Sequence, residues 1–415
     1  METLVPEGYK KTKVGVIPND WSNTELKNLI SKDIQNGYSP LCPELENGSW
    51  ILGLGALTDD KMNFKEIKPA PINDIKVKQF ILKEGDFLIS RSNTPDKVGR
   101  SGLFRGEVLN CSYPDLMMRF RIDENKVNRD YLEYYLKTST VMQYIRTCAS
   151  GSSLSMVKIN KKIVENITIL QPNIKEQEKI AEILTTWDNT IAKQIELIER
   201  KNLQKKALVQ TLLKGQVRFD GFHDEWKEIH LSQVLKERKT YSEKGLEFEH
   251  VSLTKEGVVP KTERYERDQL VKDENKKYKI TKLNDICYNP ANLKFGVICK
   301  NTYGDGIFSP IYVTFEAKKG FDINFLGHFL TWNDFIMKVR RFEEGTVYER
   351  MAVNPKDFLS FKTKLPSLSE QQKIAEVLSL ADDEINLLKN SLVELKLQKK
   401  ALMQKLLTGE VRVKI

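Results

Sequence analysis

The sequence predicts a mixed α+β chain in which one two-part unit is written twice: a globule followed by a long helix, then a second globule followed by a second long helix. Two observations carry this. Residues 172 to 218 (PNIKEQEKIAEILTTWDNTIAKQIELIERKNLQKKALVQTLLKGQVR) recur without a gap at 366 to 412 (PSLSEQQKIAEVLSLADDEINLLKNSLVELKLQKKALMQKLLTGEVR). The offset is a constant 194 (366 less 172, 409 less 215), and close to half of the aligned positions are identical. Ahead of each copy lie short apolar runs such as KQFIL, DFLIS, LMMRFRI, DICYN, FGVICK and PIYVTFEA, bounded by Gly, Asn, Pro and Asp. That is the pattern of brief strands joined by turns. The expected division is a globule at 1–170, a helical region at 171–218, a second globule at 219–363 and a second helical region at 364–415.

The first globule opens on Trp21 and Leu26 (DWSNTEL), matched by Trp226 and Leu231 (EWKEIHL) in the second. GDFLISRSNT at 85 to 94 corresponds to NDICYNPAN at 284 to 292, in each case an acidic turn, a short apolar strand and a polar loop. Helical stretches follow at DYLEYYLKTSTVMQYIRT and FLGHFLTWNDFIMKVRRF, and the pairs Gly151 with Gly345 and Asn160 with Asn354 keep the 194 offset.

Each repeat copy then reads as one helix with marked ends. Asn173 with Glu176, and Ser367 with Glu370, have the spacing of a capping box. Gly215 and Gly409 can take the left-handed conformation that closes a helix. Roughly 40 residues rising about 1.5 Å each give a rod near 60 Å long. In the second copy Leu378, Ala381, Ile385, Leu388, Leu392, Leu395, Leu402 and Leu406 step by threes and fours, interrupted only at Lys399. Such a stripe suits a coiled coil. The first copy keeps Leu184, Trp187, Ile191, Ile198, Leu208 and Leu212 but places Gln194, Lys201 and Lys205 on the stripe, so it is expected to pair with its twin rather than with itself.

With 30% charged and 40% apolar residues in 415, the chain is globular, with room for two or three cores. No run of some 18 apolar residues is present to span a bilayer, and METLVPEGYKKTK lacks the apolar core of a signal peptide, so a cytoplasmic protein is expected. Five scattered cysteines without a C-x-x-C pair, and four histidines without ligand spacing, argue against a disulfide framework and a zinc site. The formal charge of +9 points to a polyanionic partner.

Catalytic motifs are sparse. Neither G-x-x-x-x-G-K-[ST] nor a G-x-G-x-x-G after a strand occurs. Asn289-Pro290-Ala291-Asn292 has part of the Asn-Pro-Pro-aromatic outline of amino-methyltransferases, without the second proline or the aromatic. Pro114-Asp115 followed by Glu124-Asn125-Lys126 has the outline of a metal-dependent nuclease site, but the other globule reads Pro310-Ile311 at the matching place. Binding chemistry remains. Arg91, Ser92, Asn93, Thr94, Lys97 and Arg100, with Ser152 and Ser153, are the candidate DNA contacts of the first globule. Asn289, Asn292, Lys294, Thr346, Tyr348 and Arg350 are those of the second. Arg and Lys suit guanine edges, Asn suits adenine, and hydroxyls suit phosphates. On the rods, Glu176, Gln177, Lys179 and Glu182 recur as Glu370, Gln371, Lys373 and Glu376, a matched polar face that makes them candidate docking residues.

The repeated P-x-x-x-E-Q-x-K-I-A-E-[IV]-L opening, the L-Q-K-K-A-L-[VM]-Q-x-L-L-x-G-x-V-R close and the W-x-x-x-x-L start of each globule strongly resemble the specificity subunit of type I restriction-modification enzymes, over essentially the whole chain. The resemblance implies two target-recognition domains, each reading half of a split double-stranded DNA site. It implies an antiparallel pair of helices that acts as a ruler between them, and an internal pseudo-two-fold. It also implies partners: two methyltransferase subunits carrying S-adenosylmethionine, and two restriction subunits that translocate and cleave with ATP and Mg²⁺. The chain itself would hold no cofactor and no metal and would not be catalytic. The alternative from another class is an adaptor whose coiled coil tethers two basic protein-binding modules.

Overall fold

A computed structural model describes residues 5–12, 14–153, 156–242, 248–261, 277–343 and 352–415. The chain forms two compact units, and both boundaries fall inside a long helix: unit 1 is Met1–Gln194 with Ser391–Ile415, and unit 2 is Ile195–Asn390. The first long helix runs Ile174–Leu212 and the second Leu368–Thr408.

In unit 1 an antiparallel four-stranded sheet is ordered Ile30–Asn36, Met117–Ile122, Asp86–Ser90, Ser101–Phe104. The strand Asp86–Ser90 is buried along its whole length, as DFLIS lacks the alternation of a strand with one wet face. Unit 2 repeats the order with Leu235–Glu237, Val313–Ala317, Ile286–Tyr288 and Ile298–Lys300. The acidic turn before the inner strand is the same device in both. Gly85 (φ +84°) and Asn284 (φ +69°) take left-handed backbone, and the buried Asp86 and Asp285 accept from the amides of Lys83 and Lys282 at 2.8 Å. Asn160 and Asn354 cap short helices, each accepting from the third residue on at 3.0 Å.

Each core takes in the start of one long helix and the end of the other. Unit 1 packs Trp21, Phe87, Phe120, Tyr131 and Tyr135 with Ile180 and Leu184 and with Leu406 and Leu407. Unit 2 packs Tyr288, Phe315, Phe325, Phe329 and Phe358 with Leu212 and Leu213 and with Ile374 and Leu378. The two helices therefore lie side by side within each unit. In unit 2, Lys201 meets Glu384 at 2.5 Å and Lys205 meets Asp382, so the residue numbers run in opposite directions. In unit 1, Lys399, the break in the leucine stripe, meets Asp188 at 2.5 Å. Lys399 and Asp188 stand 194 positions from Lys205 and Asp382, so one cross-helix Lys–Asp pair has been written twice. A third partner completes each. Tyr134 OH donates to Asp188 (2.5 Å) and lies 3.3 Å from Thr185 Oγ1; at the same offset, His328 faces Asp382 at 3.8 Å and Ser379 Oγ at 3.3 Å.

Two expectations need correction. Leu208 is 37% exposed, and Val209 and Leu213 turn inward beside Leu212 instead, because a 3.6-residue helix drifts off a 3.5-residue stripe. Only half of each capping box forms. Asn173 and Ser367 accept from the amides of Glu176 and Glu370 at 3.0 and 3.4 Å, but the glutamate carboxylates turn elsewhere. Gly215 and Gly409 close the helices as expected, at φ +66° and +75°.

Candidate nucleic-acid interface

The loop after strand Asp86–Ser90 is drawn into a three-stranded sheet in which Ser92–Asn93 pairs with Met156–Lys158, and that strand with Ser150–Ser153. Two stretches far apart in sequence, Arg91 to Thr94 and Ser152 with Ser153, are thus brought to one place. A turn over Thr94–Val98 follows, in which the Thr94 carbonyl accepts from the amides of Lys97 and Val98 at 2.9 Å. Lys97 and Lys158 stand exposed here, and Lys161 and Lys162 follow on the next helix.

The candidates divide by what they already hold. Lys97 is free to reach outward, and Arg91 is half-buried with only a 3.3 Å contact to the Asp115 carbonyl. Asn93 Oδ1 accepts from the Thr94 amide at 2.9 Å. Ser92 is buried and points inward, and Arg100 is clamped by both oxygens of Asp59 at 2.9 and 2.6 Å, so neither is presented to a partner. In unit 2, Asn289 is buried and caps the turn of helix Pro290–Phe295 through the Ala291 amide at 3.1 Å, and Asn292 is half-buried in that turn. This is a structural role, not that of a base reader. Lys294 is exposed over the Phe295 ring. Thr346, Tyr348 and Arg350 lie outside the described residues.

A basic groove went unread. Lys32, Lys78, Lys83, Arg119 and Arg121 line a cavity of about 280 Å³ in unit 1, with Asp33 and Asp86 as its acids. Asp86 holds Arg121 at 2.6 Å and Arg119 at 3.7 Å, which leaves the three lysine ammoniums for a polyanion. These cations come from four separate segments, so no local pattern announces them.

The nuclease outline dissolves. Asp115 and Glu124 lie beyond opposite ends of the six-residue strand Met117–Ile122, which at about 3.3 Å per residue spans on the order of 20 Å. Among the described residues no cluster of His, Cys, Asp and Glu is placed to hold a metal ion. No helix among them is long and apolar enough to cross a membrane, and all five cysteines are free thiols.

The rod residues are corrected in part. Glu176 and Gln177, like Glu370 and Gln371, are at most 1% exposed. Glu176 accepts from Trp21 Nε1 (3.1 Å) and from Arg412 (2.7 and 2.9 Å), which also grips Asp20. Glu370 takes both nitrogens of Arg218 at 2.8 Å. Gln177 and Gln371 bridge the Pro172 and Pro366 carbonyls (2.9 Å) to the Asn128 and Asp322 amides (2.8 and 3.0 Å). These four fasten globule to helix and are not open to a partner. Lys179 with Glu182, and Lys373 with Glu376, form exposed 2.8 Å pairs one turn along.

Two α+β units of one sheet order, each sharing two long helices, the first with a basic groove and exposed lysines, define a duplicated polyanion-recognition protein. The sequence model of the family described as "Type I restriction modification DNA specificity domain" matches residues 18–200 and 223–397, and the chain belongs to that family of specificity subunits, which determine the DNA target. It is 27% identical over 438 residues to the putative type I restriction enzyme MjaX specificity subunit of Methanocaldococcus jannaschii, covering 98% of this chain and 97% of that one. To the MjaVIII specificity subunit of the same organism it is 26% identical, covering 100% and 98%. Its fold is similar to the type I restriction-modification S subunit from M. genitalium (TM-score 0.51, 15% identity, 93% and 96% covered). It is also similar to a chain from a study of complex assembly and conformational transition of the type I R-M system (TM-score 0.55, 12% identity, 95% and 99% covered).

Proposed function

We propose that each globule reads one half of a bipartite, asymmetric DNA site, that the two long helices set the spacer between the halves, and that the chain is non-catalytic and directs methyltransferase and restriction subunits. S-adenosylmethionine, ATP and Mg²⁺ then belong to those partners, and methyltransferase subunits dock on the rods near Lys179, Glu182, Lys373 and Glu376. The observation that carries this reading is the duplication: one sheet order occurs twice, each copy with its own loops, in a family whose sequence model matches both halves. Identical scaffolds with different loops suit two different half-sites, where identical readers would suit an inverted repeat. In the first globule, Lys97, Arg91 and the groove of Lys32, Lys78 and Lys83 supply phosphate contacts, while the loop after the inner strand carries base preference.

The test is to map modified adenines after co-expression with the methyltransferase subunits. Exchanging residues 1–170 for the corresponding segment of another specificity subunit is expected to change one half-sequence and leave the other. Inserting four residues near Leu203 lengthens that helix by about 6 Å, under two base pairs at roughly 3.4 Å each. It is expected to alter the spacing alone. Loss of preference in both halves after the exchange refutes the assignment of one reader to each globule.

A further inference from the structure

One corner of the repeat is filled in unit 1 and open in unit 2. In unit 1 the N-terminal hairpin, Tyr9–Thr12 with Gly15–Pro18, lies against the end of the second long helix. Val14 to Ile17 share the wall of a residual space of about 230 Å³ with Tyr135, Thr138, Leu170, Leu407 and Thr408. Ile17 is buried in the unit 1 core, and Tyr9 OH donates to the Gly409 carbonyl at 2.9 Å.

In unit 2 the residues at the 194 offset are Phe329, Trp332, Lys364, Leu213 and Lys214, and they line a cleft of about 740 Å³. The connection from Gln216 to Trp226 brings no hairpin over it. Phe329, Trp332 and Phe361 give apolar walls, and Trp226 forms a further side. The Trp226 indole N–H is buried without a hydrogen-bond partner, whereas its counterpart Trp21 donates to Glu176. Five cations line the cleft (Lys214, Arg218, Lys338, Lys362, Lys364) against Glu225 and Glu228. Arg218 is held by Glu370, Lys214 by Asp334, and Lys362 approaches Glu228 at 3.8 Å. Lys338 and Lys364 have no ion-pair partner among the described residues.

We propose that this cleft is a docking site for an acidic polypeptide segment of a partner protein, carrying an aromatic or aliphatic anchor, which takes the place that the chain's own hairpin fills in unit 1. The equivalent corner shows that polypeptide is what fits, and the charge of the lining selects its sign. A second copy's N-terminal segment is the wrong match, because Lys10, Lys11 and Lys13 would face the same lysines. The inference is independent of how DNA is read.

The probe is a fluorescein-labelled hexapeptide in which aspartates alternate with phenylalanine and leucine, titrated into the full chain. Saturable anisotropy with a change in tryptophan emission is expected. Lys338→Glu with Lys364→Glu should weaken binding about tenfold, and Lys161→Glu with Lys162→Glu, an equal change of charge in unit 1, should not. Every other lysine stays as it is, and circular dichroism confirms that both double variants fold. The tryptophan signal of the unaltered chain needs no variant at all. The proposal is overturned by absent saturation, by equal loss in both double variants, by equal binding of a lysine-substituted peptide or of the chain's own residues 1–18, or by displacement with equimolar short duplex DNA.

Discussion

Unit 1 and unit 2 solve one problem, holding two helices in fixed register, with the same Lys–Asp pair in two environments. Around Asp188 the pair is dry: the Lys399 and Asp188 side chains are 10% and 9% exposed and Tyr134 adds a hydroxyl. Around Asp382 the Lys205 and Asp382 side chains are 26% and 37% exposed, and a histidine stands where the tyrosine was. The difference teaches that a repeated contact does not carry a repeated energy. A buried charge that loses its partner has no water to turn to, whereas a half-exposed one is rescued by solvent.

The comparison breaks first at that pair. Asp188→Ala is expected to cost unit 1 about 3–5 kcal/mol, against about 0–1 kcal/mol for Asp382→Ala in unit 2. Hydrogen exchange resolved by unit measures both, and equal losses would contradict the dry and wet assignment. Next is the joint at the helix start. Glu176→Gln weakens the contacts of Arg412 and Trp21, with an expected cost of about 1.5–3 kcal/mol. Thermal unfolding of Glu176→Gln and of Glu370→Gln, which weakens the matching contact of Arg218, measures this, and an unchanged midpoint in both would remove the joint from the account.

A smaller effect separates the units by pH. Burial holds His328 below the usual histidine range, so the unfolded chain takes up that proton first. The contribution of unit 2 is therefore complete above about pH 6.5 and is lost as the pH falls from there through the folded value. Tyr134, pushed far above the ordinary tyrosine range by its burial and its bond to Asp188, does not change charge in this window. His328→Tyr should flatten the acid limb of the unit 2 melting curve; an unchanged slope would remove the histidine from the account. The smallest expected change is at the exposed Lys179 and Lys373. Reversing both charges should move stability by no more than about 0.5 kcal/mol while weakening co-purification with methyltransferase subunits.

What the sequence disclosed follows the range of the interactions. The caps at Gly215 and Gly409, the GDF and ND turns and the lysine-interrupted stripe are each set by neighbours on one element, and the repeat needs only the sequence compared with itself, so all could be read. Glu176 and Gln177 could not be placed, because the groups that bury them, Trp21, Asn128 and Arg412, lie 155, 49 and 236 positions away. On a helix taken alone they look like a polar face. The basic groove failed for the same reason, since Lys32 and Arg119 on strands, Lys78 on a short helix and Lys83 on a loop meet only in the fold. Asn289 misled in the opposite way: its local chemistry suited adenine, but the same side chain also suits a cap, and the adjacent Pro290 favours the cap.

The grip of Arg412 on Glu176 and Asp20 also fixes the order in which the protein can be completed on the ribosome. Unit 2 is one continuous segment and can close as soon as Asn390 has emerged. Unit 1 must wait for Ser391–Ile415, although most of it is made first. At about 5–20 residues per second, the flanks of Ile180 and Leu184 remain uncovered for on the order of 10–40 s after they leave the tunnel, and that of Trp21 for about 20–80 s. The part of the chain that is born first is the last to be sealed.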